Sequence, residues 1–293
     1  MIVSVYIPTR NRRALVERAV KSVLEQDHAD LEVIVVDDAS SDDTPAFLAA
    51  AAAADPRLVF FANDRPGGAP AARNRAIAAA KGAFVTGLDD DDYFEPTRLR
   101  RFLAAWKQFE SEGKKPACIY AQSVSMRGGK PIWISERPSS VEYVDLFTQN
   151  VIGNQVFAPR EHFVGAGLFD EQLPAWQDLD LFIRMLQKYG TAYLVPVPTY
   201  FFDDEDRNDR ISSKGERVRI AKARIAAKHK DLDPRLLLSL HMQMFNGFYD
   251  IAPTLQDIRF LLANKPTFRH VRRMVRRVAV MPLARKRFSS TTG

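Results

Sequence analysis

Four consecutive aspartates, Asp89, Asp90, Asp91 and Asp92, follow the apolar run "AFVTGL". Neighbouring carboxylates repel, so such a run is either a solvated turn or a place for a cation. Alternate side chains of an extended chain share a side, which puts Asp89 with Asp91. Mg²⁺ and Mn²⁺ take hard oxygen ligands, and keep waters and phosphate oxygens beside one or two carboxylates. Two carboxylates at i and i+2 past a strand end therefore suit a metal carrying a diphosphate. For a bare pair of acids, a turn capping the helix that follows Pro96 is the plainer alternative. Four in a row after a buried strand favour the cation.

Three further stretches carry polar residues with chemical potential. Asp37 and Asp38 end "LEVIVVDD", where an acid can accept hydrogen bonds from a nucleobase or ribose, or can cap the next helix. Pro8, Thr9, Arg10 and Asn11 follow the first apolar run. Arg73 and Asn74 fall in the first turns of "GGAPAARNRAIAAAKG", and arginine suits bidentate phosphate binding, with a solvated helix face as the alternative. Asp178 and Asp180 in "WQDLDLF" open a helix, where carboxylates are favoured electrostatically. Asp178 comes after Trp176 and Gln177 in a proline-containing loop, a setting in which a base can reach an acceptor hydroxyl. The glycine spacing fits neither a dinucleotide fingerprint nor a P-loop, leaving mononucleotide chemistry without a Walker lysine.

The elements that must position these residues alternate. Strands read at 2–7, 31–38, 57–63 and 83–90, with helices at 13–26, 46–54 and 71–81, the pattern of an open, doubly wound α/β sheet. The continuous apolar run before Asp37 suits a parallel strand covered on both faces. Ligands of such sheets bind beyond the carboxyl ends of the strands, and those ends carry "PTRNR", "DDAS", "ND" and "DDDD", so these polar stretches fall on one rim. A helix at 97–112 leads to "PACIYAQSVSM" and "GKPIWIS", a hairpin by its glycines. A loop runs into a helix over 167–190, and "AYLVPVPTYFF" returns as extended chain. "DDEDRNDR" (203–210) reads as an exposed loop, and helices follow at 214–230, 234–249, 254–263 and 267–281.

The 293 residues, 46% of them hydrophobic, suffice for a substantial core. No apolar run is long enough for a membrane-spanning helix, and the start of the chain lacks the basic region of a signal peptide. Cys118 is the only cysteine, which excludes a disulfide framework and reads as a core residue in a reducing compartment. The net charge of +6 is unevenly placed: ten lysines and arginines and no acid follow Asp257. The preceding part is mildly acidic, which argues against a nucleic-acid groove across the protein.

Taken together, "VSVYIPTRNR", "LEVIVVDDASSDDT", "GGAPAARNRAIAAAKGAFVTGLDDDDYFEPTRL" and "GLFDEQLPAWQDLDLFIRM" resemble the inverting GT-A glycosyltransferases of glycosyltransferase family 2, over roughly residues 2–190. The resemblance implies a GT-A fold, with residues 1–100 as the nucleotide-sugar-binding half, 101–205 as the acceptor-binding half, and 206–293 as a helical extension outside the resemblance. It implies hexosyl transfer from a nucleoside-diphosphate sugar, a UDP-sugar foremost, to a glycan or lipid-linked acceptor in cell-surface polysaccharide synthesis. Pro8, Thr9, Arg10, Asn11, Asp37, Asp38, Arg73, Asn74, Asp89 and Asp90 would meet the donor. Asp89 and Asp91 would hold Mn²⁺ or Mg²⁺, with Asp91 the more direct ligand, and Asp178 would be the base. Asp92, Trp176, Gln177 and Asp180 are candidates for acceptor or supporting contacts. The family usually has Glu-Asp where this chain has Gln177-Asp178, which bears on acceptor contacts rather than on the base.

Residues 268–288 set Val271, Met274, Val275 and Val278 along one side of a helix, and five arginines from Arg269 to Arg277 largely around the other. A basic amphipathic helix reads as an anchor on anionic lipid at the cytoplasmic face of the inner membrane, or as a helix packed on its domain with its arginines solvated. A non-catalytic nucleotide-sugar binder and a sugar nucleotidyltransferase are the competing functions.

Overall fold

The computed structural model describes residues 1–204, 215–246, 249 and 251–288, with side chains described up to 278. The loop expected over 203–210 lies, from 205 onward, outside the described residues. The chain divides into two units. The first comprises Met1–Tyr143, Val151–Glu171 and Gln177–Asp206; the second comprises Val144–Asn150, Gln172–Trp176 and Arg207–Gly293.

The first unit is built on one mixed sheet. β1 (Val3–Thr9), β2 (Leu31–Asp37), β3 (Leu58–Ala62) and β4 (Phe84–Gly87) run parallel. Their connections are α1 (Arg13–Leu24), α2 (Thr44–Ala54) and α3 (Ala69–Ala79). β1 and β2 are buried along their whole length, which is why they read as unbroken apolar runs rather than as alternating ones. Val3, Val5 and Ile7 of β1 face a core with Val16, Ala19, Val20 and Val23 of α1 and Leu48 of α2. Leu99, Phe102 and Trp106 of α4 (Arg98–Ser111) complete that layer. Tyr6, one step out of phase, turns to the opposite face, edge-on to Phe163 and Phe169 at 6.4 and 6.2 Å.

The strand order places β2 and β3 on one side of β1 and β4 on the other. The winding direction reverses between β1 and β4, so their carboxyl ends frame the crevice in which such sheets bind ligands. Beyond β4 the sheet continues through β9 (Phe157–Pro159), β6 (Cys118–Arg127), β10 (Ala192–Asp203) and β5 (Tyr93–Phe94). β9 is antiparallel to both β4 and β6. The expected hairpin is present, with β7 (Lys130–Ile134) antiparallel to β6. The short β8 (Ser140–Val141), α5 (Tyr143–Leu146) and α6 (Arg160–Gly165) were not expected. α7 (Gln177–Tyr189) buries Leu181, Phe182, Met185 and Leu186 as its periodicity predicts.

The second unit is helical. It contains α8 (Gly215–Lys228), α9 (Pro234–Gln243), α10 (Leu255–Ala263) and α11 (Phe268–Phe288). Asp233 caps α9 through the Arg235 N–H, and a Thr254–Asp257 capping box opens α10. Arg277 of α11 donates to the carbonyls of Phe245, Asn246 and Tyr249, and Met274 is 3% exposed. Arg273 and Arg277 are therefore turned into the unit rather than spread on a solvated face, and α9 is shorter than the helix expected over 234–249.

Candidate active site

The site is assembled from the ends of β1 and β4 and the segments that pack over them. Tyr6 pairs in register with Gly87, so Thr9 and the four aspartates emerge side by side. Thr9 Oγ1 donates to Asp90 Oδ2 at 2.8 Å. Arg12, from the turn after β1, places Nη1 2.8 Å from Asp90 Oδ1 and 3.2 Å from Asp91 Oδ2. Burial pushes the Asp90 carboxyl up to about 6, against the pull of Arg12. Asp92 is 1% exposed; it accepts from the Tyr200 hydroxyl at 2.6 Å and from the Asp203 N–H at 3.0 Å. Burial, then the charges of Asp91 and Asp89, push its carboxyl well up. The run is crowded electrostatically, and a guanidinium sits where the crowding calls for a cation.

Asp89 is the centre of a second cluster. Its Oδ1 accepts from Arg73 Nη2 and Gln155 Nε2, both at 2.9 Å, and its Oδ2 accepts from Asn154 Nδ2 at 2.6 Å. The Tyr6 hydroxyl donates to Gln155 Oε1 at 3.0 Å, which orients the amide toward Asp89. Gly87 is a steric requirement of this arrangement: a Cβ there would meet Gln155 Oε1 at 1.8 Å and the Tyr6 ring at 2.4 Å. Burial opposes the charge on Arg73, but Asp89 and Tyr6 beside it hold its pKa above the ordinary value.

Asp178, in the first turn of α7, lies within electrostatic reach of both Arg73 and Asp89. Burial raises its carboxyl above the ordinary range; the Leu179 N–H and Arg73 favour the charge, and Asp89 opposes it. Such a carboxylate at a helix start, with a cation nearby, can in its ionised form take a proton from a hydroxyl.

Other expected site residues hold the frame. Ser40 donates its hydroxyl to Asp37 Oδ1, closing the turn after β2. Asp38 accepts from Asn63 Nδ2 at 2.9 Å and from the Gly67 and Gly68 N–H groups at 2.7 Å, fixing the loop into α3. Asn11, at φ +53°, receives the Ser41 N–H at 2.7 Å and so ties the β1 and β2 loops together. Pro8 is buried within β1, and Arg10 is exposed. Asn74 exchanges bonds with the backbone of Phe169, both at 2.9 Å, and binds Glu171. Asp180 is fully buried in a pair with Arg184 at 2.7 Å. Gln177 is half-buried at the start of α7, while Trp176 belongs to the second unit, its indole N–H donating to the Tyr249 hydroxyl at 2.7 Å.

Arg12, Asn154, Gln155, Tyr6 and Tyr200 were not foreseen. "PTRNRR" does hold a signal for Arg12, since three arginines follow β1, but spacing does not say which one turns inward. Asn154 and Gln155 stand in "VIGNQVFA", which carries no pattern; only the insertion of β9 beside β4 brings them to Asp89.

Among the described residues, no three His, Cys, Asp or Glu side chains converge as an all-protein metal cage. A divalent ion that shares its shell with a diphosphate needs no such cage. The carboxylate pair of Asp90 and Asp91, already bridged by a guanidinium, has the charge and the hard oxygens for such an ion. Asp89, bound by three donors, has fewer lone pairs to give.

A mixed sheet with acids and an arginine at the switch point of its parallel half matches the GT-A fold. Residues 4–160 match the model of Glycosyl transferase family 2, and the chain belongs to that family and is a glycosyltransferase. WcaA of Escherichia coli (strain K12), whose provisional name is that of a colanic acid biosynthesis glycosyl transferase, is 39% identical over 202 residues. That match covers 68% of this chain and 71% of WcaA. S. aureus TarS 1-349, solved in complex with UDP-GlcNAc, superposes with a TM-score of 0.65 at 19% identity, covering 90% of this chain and 79% of that one. The chain spans 47% of the longer TarS chain. Mannosyltransferase PcManGT from Pyrobaculum calidifontis, in complex with GDP-Man and Mn²⁺, gives a TM-score of 0.56 at 17% identity over 99% of this chain and 87% of its own. At these identities the two structures speak for the fold alone.

Proposed function

We propose that the protein transfers a sugar, with inversion, from a nucleoside-diphosphate sugar to a hydroxyl of a glycan or lipid-linked acceptor in the synthesis of a cell-surface polysaccharide. The observation that carries this is Asp178, a carboxyl raised by burial and within electrostatic reach of Arg73 and Asp89. The UDP-GlcNAc in TarS and the provisional colanic acid role of WcaA support the substrate classes, with a UDP-sugar as the donor. Asp38, Thr9 and Asn11 would meet the base and ribose, and Arg73 the diphosphate. Asp91, with Asp90 beside it, would hold Mn²⁺ or Mg²⁺, which when bound supplies charge to stabilise the departing diphosphate. Asp178 accepts the proton of the acceptor hydroxyl as its oxygen attacks C1 from the face opposite the diphosphate, and then loses that proton to solvent. Asp178→Asn is expected to keep donor affinity, read by calorimetry, while transfer falls ~10²–10⁴-fold; transfer at the wild-type rate overturns the assignment. Release of a nucleoside diphosphate rather than pyrophosphate separates this reaction from nucleotidyl transfer.

The reading extends to the cytoplasmic face of an anionic membrane. Phe268, Val271, Val275 and Val278, spaced along one helical face, are 81, 38, 59 and 49% exposed, with Arg272 and Arg276 also exposed. No described helix is long and apolar enough to cross a membrane, so attachment would be interfacial. Flotation with phosphatidylglycerol liposomes, lost on truncation after Asn264, is the expected result; flotation that survives the truncation sinks the anchor.

A further inference from the structure

The transfer chemistry leaves unused a cleft of about 290 Å³ in the second unit. One wall is a single face of α9, with Arg235, Leu238, Ser239 and Met242 at helical spacing. The other wall is the turn before α11 and its first residues, from Lys265 to Arg273. Leu238 and Met242 are 0% exposed and form the floor, while Arg235, Lys265 and Arg269 are exposed around it. Four permanent cations therefore line one cavity, and no acidic side chain lines it among the described residues.

Solvated arginines on a helix face are ordinary; cations from two separate segments brought to one cleft are not, because like charges resist the approach. The crowding is visible in the groups themselves. Burial and Arg269 hold the Arg273 pKa down, and burial, Arg273 and Arg269 do the same for His270. Lys265 stands on the rim with φ at +51°, a left-handed conformation uncommon for such a residue. Thr148, Ser239 and Thr267 add hydroxyls to the lining. The cleft is at the small end of ligand pockets: it has room for a compact anionic head, not for a nucleotide sugar. Planar guanidinium forks with an ammonium and hydroxyls match tetrahedral phosphate oxygens.

We propose that this cleft binds a phosphate or diphosphate group. The phosphate is either that of a soluble ion or ester or that of a lipid headgroup; the recognition chemistry is the same. The cleft lies wholly within the second unit, so its ligand is not required to be the sugar donor.

The test uses the full chain and two double variants that remove equal charge: Lys265→Ala with Arg269→Ala in the cleft, and Lys230→Ala with Arg259→Ala elsewhere in the second unit, off the cleft and off α11. All four side chains are exposed, and unfolding curves confirm that the variants stay folded. Calorimetry with inorganic pyrophosphate and co-sedimentation with phosphatidylglycerol against phosphatidylcholine vesicles are the readouts. For a soluble source, pyrophosphate affinity falls at least about tenfold in the cleft variant and far less in the control, with UDP affinity unchanged in both. For a lipid source, pyrophosphate binds weakly throughout, and phosphatidylglycerol binding falls in the cleft variant well beyond the control. Equal losses in the two variants, or no phosphate-dependent binding to either probe, overturn the proposal.

Discussion

Asp178 and Gly87 show how single residues set the chemistry. The Asp178 carboxyl is raised by burial, and only its ionised form accepts a proton. Transfer should therefore fall as pH drops through a point above the ordinary carboxylate range, read from initial rates across mildly acidic to neutral pH. Arg73 favours the ionised form, so Arg73→Met should move that acid limb upward, to higher pH. The same shift has a sign for stability. A folded pKa above the unfolded one means that the folded state holds its proton longer, so stability declines as pH rises from the unfolded value through the folded one. Asp178→Asn removes that decline, and at neutral pH the inactive variant should unfold no earlier than wild type. Gly87→Ala works in the other direction. Its Cβ would overlap Gln155 Oε1 and Tyr6, so overpacking should cost about 1–3 kcal/mol, and the Gln155 bond to Asp89 should be lost with most of the activity. Wild-type transfer by this variant contradicts the arrangement.

Elements carry these residues into register, and here the sequence was unevenly legible. β1, β2 and β4 could be read from their apolar runs because both faces of each strand are buried, and burial leaves its mark in composition. The polar residues at their ends then had to share a rim, which is why Thr9, Asp89, Asp90 and Asp91 were expected there. β5, β8 and β9 span two, two and three residues, too short for any period to show, and β9 is the strand that delivers Asn154 and Gln155. Asn74 illustrates a different limit. Its place in α3 suggested a donor contact, but its amide is spent on both backbone groups of Phe169 and on Glu171, fixing the chain ahead of α7. Asn74→Ala leaves those backbone groups unpaired at a cost of about 1–3 kcal/mol. Because α7 carries Asp178, kcat should fall more than UDP-sugar affinity does; a selective loss of affinity would assign Asn74 to the donor instead.

At the scale of the molecule, the second unit is assembled from three stretches of chain, two of them short. Val144–Asn150 and Gln172–Trp176 interrupt the first unit in sequence and belong with the residues after Arg207. A linear reading divides the chain near 206, because short apolar segments such as "VDLF" do not announce which core they join. Phe147 is 0% exposed, with its ring 5.5 Å from His229, and the Leu146 carbonyl accepts from Gln243 Nε2 at 2.6 Å. Trp176, 7% exposed, is held by the Tyr249 hydroxyl. Truncation after Asp206 would leave these side chains without their partners, and re-exposing each large apolar one costs about 1.5–3 kcal/mol. Truncation after Asn264 removes only α11 and what it buries, chiefly Met274 and the Arg277 contacts. The shorter chain should therefore melt far lower and aggregate, whereas the chain ending at 264 should keep most of its thermal stability and its nucleotide binding. If the chain ending at 206 melts like the full protein, those two short segments do not depend on the helical unit.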